Sequence, residues 1–235
     1  QLQRLNCVAD VKRAMDGERA GAITAMEYLG RQRHRLREFV DPVAVDNSNL
    51  EKLGHSLIFP RGWFDFEKVS YCRVFATQFD RLEDVANGEL PLHQLKADTK
   101  KFEAEIASST GIKAVLEHRL MVTMFLPALS KTLYRAATAQ TAANQAAIAC
   151  ALERYRLAHG QFPDTLETLA PRFISPLPND VLTGEPYKYR RVADGTFLLY
   201  SIGWNETDDG GKPGTTLFDE KDGDWVWRYP ETTSR

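Results

Sequence analysis

Two acidic, glycine-containing segments near the C-terminal end hold the residues whose types and spacing best suit a chemical role. The segments NETDDGGKPG and DEKDGDWVW each place several carboxylates within a few positions of one another. Carboxylate, amide and backbone carbonyl oxygens, the last near Ser201, are the ligands that Ca²⁺ prefers, whereas the lack of paired His or Cys disfavours zinc. The alternative is a cluster of solvated Gly-Asp turns. The candidate metal ligands are Asn205, Asp208, Asp209, Asp222 and Asp224.

Catalytic motifs are absent from the sequence. It contains no HxH, HExxH, GxSxG, GxGxxG or P-loop pattern, and its five histidines are scattered: His34, His55, His93, His118 and His159. Ser56 after His55 and Ser201 before Gly203 do not make a triad pattern. We therefore predict that the protein is not an enzyme. The alternative is a hydrolase with a cryptic active site in a cleft between a helical region and a C-terminal head, because triads have no fixed sequence spacing.

The overall charge gives no reason to expect a nucleic-acid partner. The 235 residues are 43% hydrophobic and 26% charged, with a formal net charge of -2 and a pI near 6.3. This composition is typical of a globular protein. One local run is basic, but on a helix its members spread over more than one face, which favours a solvated surface over a phosphate site: Arg31, Arg33, His34, Arg35 and Arg37.

The three cysteines do not form a recognisable framework. Cys7, Cys72 and Cys150 are an odd number and include no CxxC spacing, which argues against a zinc site and a disulfide scaffold. A single bridge between Cys7 and Cys72 stays open. Cys150 lies in the run AAIACALERY, where we expect a small, buried helix residue.

No stretch of the sequence has the length of a membrane span. The most apolar run, LMVTMFLPAL, is roughly half of the about 20 residues that a spanning helix needs. The sequence begins at Gln1 rather than Met, and we expect any membrane anchor to precede Gln1.

The first half of the sequence predicts helices. Apolar residues recur at helical spacing in LQRLNCVADVKRAM, which should end at Asp16-Gly17, and in AGAITAMEYLGRQRHRLREFV, which should end at Asp41-Pro42. Residues 41–63 have loop composition. A third helix, closed by Asn87-Gly88, and a fourth, ending near Gly111, should follow.

The second half predicts one long helix and then a small sheet. A helical pattern runs from Ile112 to His159 with an interruption at Pro127, and we expect residues 128–159 to form one helix. Its face with Ile148, Leu152 and Tyr155 should pack under the sheet. A short helix, TLETLAP, should precede a hairpin of YKYRRV with TFLLYSI, and WVW suits a last strand. The order of elements predicts an α+β fold.

Four aromatic residues lie in or beside this predicted head, and a surface cluster of such residues could anchor a partner or a glycan. A small sheet has little else to form a core, so we favour burial against the long helix. The four residues are Trp204, Trp225, Trp227 and Tyr229.

Several ordered blocks of the C-terminal half together resemble one protein family. They are ALERYRLAHGQFPDTLETL, LPNDVLTGEPYKYR, FLLYSIGWNETDDGGKPG and DGDWVW. In this order they resemble the major pseudopilin of type II secretion systems: a long helix ending in Tyr and a His-Gly pair, an aromatic-Pro step, a hairpin rich in Pro and Tyr, and a Tyr-Ser-x-Gly turn before an acidic loop. Pro127 lies where pseudopilins carry their helix proline. The resemblance covers roughly the last 110 residues.

The resemblance implies both an architecture and a role. It implies a pseudopilin-like long helix and head in residues 112–235, after an unrecognised helical region in residues 1–111. Pseudopilin heads hold calcium in the loops that correspond to the acidic segments, so it also implies calcium. We expect a non-enzymatic periplasmic or cell-envelope protein, with any membrane anchor before Gln1, that acts in envelope assembly, secretion or binding of a protein partner.

Overall fold

The chain combines helices with a small antiparallel sheet in a computed structural model that describes residues 4–32, 61–108, 113, 116–192 and 195–227. The predicted helix end at Asp41-Pro42, nearly all of the loop 41–63, the basic residues 33–37 and Tyr229 lie outside these ranges. Helices come first and strands last, which confirms the α+β class. In order, the elements are α1 (Cys7–Arg31), α2 (Arg61–Phe75), a π-helical turn (Ala76–Asp80), α3 (Leu82–Ala86), α4 (Leu92–Ala107), α5 (Leu120–His159), a 3-10 turn (Leu166–Leu169), β1 (Lys188–Arg191), β2 (Phe197–Ser201) and β3 (Trp225–Trp227).

The chain divides into two compact units. The head unit comprises Gln1–Asp10, Glu83–Ala97 and Lys131–Arg235, and the helical unit comprises Val11–Leu82 and Asp98–Ser130. The division of the sequence into a helical region, residues 1–111, and a pseudopilin-like region, residues 112–235, stays a prediction. Within the described ranges, no helix combines the length and the apolar character needed to cross a membrane.

The sheet of the head unit has the strand order β1-β2-β3, with antiparallel pairing throughout. Tyr189 of β1 lies opposite Leu199 of β2, and Tyr200 of β2 lies opposite Val226 of β3. The sequence runs YKYRRV and TFLLYSI therefore pair as the predicted hairpin. The predicted third strand is also confirmed.

The C-terminal part of α5 forms one side of the hydrophobic core of the head unit. Ile148 and Leu152 are fully buried and pack in one cluster with Phe197 and Leu199 of β2, while Tyr155 is partly buried against it. This spacing places the three helix residues on one face. The prediction that this face packs under the sheet is therefore confirmed.

Cys150 is exposed, so the expectation that it would be buried is wrong. With 3.6 residues per turn, Cys150 projects from nearly the opposite side of α5 to Ile148. The alanine-rich sequence around it supports a helix but does not indicate which face is covered. All three cysteines are free thiols.

The long helix begins at Leu120 rather than at Ile112, and it continues through Pro127. The helical pattern is broken by His118, whose φ of 54° lies in the left-handed region. The backbone N–H groups of Leu120 and Met121 then donate to the two carboxylate oxygens of Glu67, at 2.9 and 3.0 Å. A proline removes one helical hydrogen bond, and here that does not end the helix.

The predicted end of the first helix at Asp16-Gly17 is wrong, because α1 is continuous from Cys7 to Arg31. The Asp16 carboxylate accepts from Lys12 Nζ at 2.6 Å and from an Arg19 guanidinium nitrogen at 3.3 Å. Pairs at these spacings stabilise a helix, and an interior glycine costs only about 1 kcal/mol relative to alanine. The charge pairs around Asp16 therefore support helix where the Asp-Gly pair suggested an end.

The third predicted helix is present, with a π-helical turn inside it. Phe75, Phe79 and Leu82 are almost fully buried, which confirms the apolar stripe. The stop at Asn87-Gly88 is confirmed as well, since Gly88 has a φ of 77° and its N–H donates to the carbonyl of Val85.

Candidate functional site

The acidic segments form one irregular loop, residues 202–224, between β2 and β3 of the head unit. Two stretches of its backbone lie so close together that a Cβ added at Gly214 would clash with the carbonyl oxygen of Asp222. The backbone N–H of Asp224 donates to the carbonyl of Lys212 at 2.9 Å. Glycine is therefore required at position 214 by close backbone approach.

Asp224 holds this loop together through its side chain. The carboxylate is buried and accepts hydrogen bonds from the backbone N–H groups of Gly211 at 2.6 Å and Asp209 at 3.3 Å. Burial raises the pKa of this carboxyl; the two N–H donors oppose the rise, and the charges of Asp208 and Asp209 add to it. The geometry gives Asp224 a structural role that sequence spacing did not reveal.

The other predicted ligands in the first segment are also engaged. Asp208 Oδ1 accepts from the N–H of Gly210 at 3.0 Å and from the hydroxyl of Tyr200 at 3.1 Å. Asn205 Oδ1 accepts from the N–H of Thr207, and its Nδ2 donates to Asp209 Oδ2 at 3.3 Å. These bonds fold the segment locally.

The structure brings three of the five predicted ligands together. Asn205, Asp209 and Asp222 line an open surface groove of about 660 Å³, which Lys212 and Lys221 also line. Asp208 and Asp224 are not part of its lining. Across the described ranges, no three His, Cys, Asp or Glu side chains converge closely enough to hold a metal ion. A calcium ion in this groove would therefore need backbone carbonyl oxygens in addition to side chains, and the calcium site stays a prediction.

Asp219 organises the second segment, although the sequence analysis did not select it. Its carboxylate accepts from the N–H groups of Lys221 at 2.9 Å, Asp222 at 3.3 Å and Thr216 at 3.4 Å. These backbone donors, led by the N–H of Lys221, lower the pKa of Asp219. The indole Nε1 of Trp225 donates to the Asp219 carbonyl at 2.9 Å. Asp side chains often accept from the backbone N–H two residues later, so an Asp within a loop-like segment is a sequence signal for such a turn.

Three of the four aromatic residues singled out in the sequence lie in the described ranges and are largely covered, which agrees with the expectation that they are buried. Trp225 is fully buried, and Trp204 and Trp227 are partly buried. Tyr134 packs edge-on to Trp204 and Trp225, with ring centroids 5.5 and 6.0 Å away.

Lys96 of α4 connects the start of that helix to the turn after β2. Its Nζ donates to the carbonyl of Trp204 and, at 2.6 Å, to Glu206 Oε1, and it lies 4.8 Å from the centroid of the Trp204 ring. Glu206 has a φ of 60°, which is unusual for a residue with a side chain. Nothing in the spacing of positions 96 and 206 indicates this pairing.

A buried polar cluster lies between α5 and the sheet. Asp180 Oδ1 accepts from the N–H of Leu182 at 3.0 Å, and Gln145 Nε2 donates to the carbonyl of Trp225 at 2.6 Å. Burial raises the pKa of Asp180, while hydrogen bonds from Ser201 and Leu182 lower it. Asp180 and Gln145 thus each have hydrogen-bond partners in the head unit, which is typical of buried polar groups with a structural role.

The histidines within the described ranges contact backbone or aromatic groups rather than a nucleophile. His93 Nδ1 lies 2.8 Å from the carbonyl oxygen of Leu182, and His159 stacks on Tyr155 with centroids 4.1 Å apart. His118 stacks on Phe66. None of these recorded contacts within the described ranges joins a histidine to a Ser, Thr or Cys side chain, and the absence of enzyme activity stays a prediction.

Comparison with known proteins identifies no relative of this chain. No protein-family model matches it, no curated protein matches it and no solved structure matches it. The resemblance to pseudopilins therefore depends on the sequence blocks quoted above.

Proposed function

We propose that the protein is a non-enzymatic cell-envelope protein with a pseudopilin-like head, which acts in envelope assembly, secretion or binding of a protein partner. The observation that carries this proposal is the packing of α5 under the antiparallel sheet, with Ile148 and Leu152 fully buried. A long helix followed by a small head with an acidic loop is the layout that the sequence resemblance implies. The absence of a recognised nucleophile and base supports a role in binding.

A substrate screen tests this proposal against the alternative of a cryptic hydrolase. The purified chain is incubated with ester, peptide, phosphate and glycoside substrates, beside a Ser201→Ala variant and a His93→Ala variant. We expect no turnover above a heat-treated sample. Turnover that one substitution abolishes while the melting temperature stays unchanged would establish the hydrolase.

Calcium binding by the acidic loop is the second part of the proposal. Asn205, Asp209 and Asp222 line one groove beside Lys212 and Lys221, and their side-chain oxygens together with backbone carbonyl oxygens are the ligand type that calcium prefers. Saturation at about 100 times the dissociation constant should stabilise the folded chain by roughly 2.7 kcal/mol.

Thermal melts in calcium and in EDTA measure this effect. Asp222→Asn removes a charge that the structure exposes at the groove, while Glu220→Gln, next to Asp219 and also exposed, is the matched control. We expect calcium to raise the melting temperature of the parent and of the control, but not of Asp222→Asn. Melting temperatures that do not change with calcium in any of the three proteins would mean that the loop is a set of solvated turns.

A further inference from the structure

The helical unit contains a second open groove, formed by α2, α4 and the turn before α5, with a volume of about 640 Å³. Phe66 and Val69 of α2 line it and remain exposed over 61% and 49% of their surfaces. Phe102 of α4 lines the facing side. The groove therefore has apolar walls that the described part of the helical unit leaves open to solvent.

His118 completes one wall of the groove. Its ring stacks on Phe66 with centroids 4.9 Å apart and an interplanar angle of 25°. A left-handed backbone conformation at His118 places the ring there, and its buried Nδ1 has no hydrogen-bond partner among the described residues. The stacked pair of Phe66 and His118 gives this wall of the groove an aromatic surface.

The charges around the groove are not balanced. Its three basic residues are Arg73, Lys101 and Arg119. None of them forms an ion pair within the described ranges.

The acids of the lining are mostly engaged elsewhere. Asp98 pairs with Arg81, and Glu117 lies 3.9 Å from Lys113 Nζ, which leaves Glu105. Three cations therefore face one remaining carboxylate in this part of the structure.

We propose that this groove binds an acidic segment of a partner polypeptide, with an aromatic or large aliphatic side chain against Phe66 and His118. The cations select carboxylates, and charge complementarity of this kind fixes partner choice and register. Small-molecule sites typically enclose most of their ligand, whereas this groove is open to solvent, which suits a segment of a polypeptide better. The inference does not depend on the identity of the head.

Fluorescence anisotropy with three labelled hexapeptides tests the proposal on the full chain. The peptide EEFLEE carries both charges and apolar side chains, QQFLQQ lacks the charges, and EESSEE lacks the apolar pair. At low salt, we expect EEFLEE to bind about tenfold more tightly than either of the others. Equal binding of all three peptides would overturn the proposal.

Charge-reversal variants locate the site. The double substitution Lys101→Glu with Arg119→Glu should weaken binding of EEFLEE about tenfold, whereas Lys100→Glu, the exposed neighbour outside the groove, should change it less than about twofold. An equal loss in Lys100→Glu would mean that bulk charge alone attracts the peptide. If the double variant does not fold, Lys101→Glu alone, at an exposed position, should still weaken binding about threefold.

Competition with phenylacetate distinguishes a peptide from a small aromatic acid that shares its chemistry. We expect phenylacetate to displace EEFLEE only at a large molar excess. Displacement at equal concentrations would contradict the peptide assignment.

Discussion

The head unit and the helical unit both bury carboxylates against backbone N–H groups, but these carboxylates have different structural roles. In the helical unit, Glu67 accepts from the first N–H groups of α5 and completes the end of a regular element. In the head unit, Asp224 accepts from Asp209 and Gly211 in a loop without regular structure. The carboxylate of the helical unit thus caps a helix, whereas that of the head unit orders a loop without regular secondary structure.

The largest expected effect concerns the apolar core that the head nevertheless needs. Leu152→Ala should lower the free energy of unfolding by about 2–5 kcal/mol, because it leaves a cavity beneath the sheet. Leu157→Ala, on the exposed face of the same helix, should change it by less than about 0.5 kcal/mol. Urea denaturation measures both, and a small loss in Leu152→Ala would mean that polar contacts alone stabilise the head.

Glu67 tests the carboxylate of the helical unit. Glu67→Ala leaves the N–H groups of Leu120 and Met121 without their acceptor and should cost about 1–3 kcal/mol. Glu67→Gln keeps one acceptor oxygen and should cost less. Guanidinium denaturation of both variants makes the comparison, and equal losses would show that volume rather than hydrogen bonding matters at this position.

A pH series sharpens the contrast on the side of the head. Burial raises the pKa of Asp180 above its ordinary 3.8. The folded state therefore binds its proton more tightly than the unfolded state, and the stability from this group falls as the pH rises from 3.8 through the folded pKa. Relative to the parent, Asp180→Asn should gain stability across that window.

Urea denaturation between pH 4 and pH 7 follows this difference, with Glu89→Gln, a substitution at an exposed position, as the control variant. A difference for Asp180→Asn that does not change with pH would mean that Asp180 titrates as an exposed carboxyl does.

The smallest effect is expected at the partly exposed pair of Lys96 with Glu206. A double-mutant cycle with Lys96→Met and Glu206→Gln should give a coupling free energy of about 0.2–1 kcal/mol, because solvent screens both charges. Thermal denaturation measures the four proteins of the cycle. A coupling of zero would leave the contact of Lys96 with Trp204 as its only contribution.

Periodicity and composition predicted the elements better than their ends. The stripe of Phe75, Phe79 and Leu82, the hairpin and the third strand all followed from spacing, because burial of one face imposes it. The predicted end at Asp16-Gly17 was wrong because the charge pairs of Asp16 with Lys12 and Arg19 outweigh the local breaker. The predicted interruption at Pro127 was wrong as well, since the helix continues through it. His118 broke the helix instead, and no local signal marks it.

The candidate site was predicted less well than the fold. The composition of the two segments predicted the acidic loop. It could not distinguish Asp224, whose carboxylate accepts from backbone N–H groups, from Asp222, which lines the groove. That difference arises from chain reversals between residues 202 and 224, which sequence spacing does not encode. Lys96 reaches Trp204 and Glu206 across 108 and 110 positions, so sequence patterns could not indicate these contacts.

Labelling of Cys150 in cells tests the envelope location most directly. Cys150 is exposed on α5, whereas Cys7 and Cys72 are partly covered and can be replaced by alanine. The natural gene product is labelled with a membrane-impermeant maleimide in source cells whose outer layers are permeabilised and whose inner membrane is intact, with Cys150→Ala as the control. The account predicts labelling of Cys150 before lysis, at the level found after lysis. Labelling only after the inner membrane is broken would place the head in the cytoplasm and contradict the account.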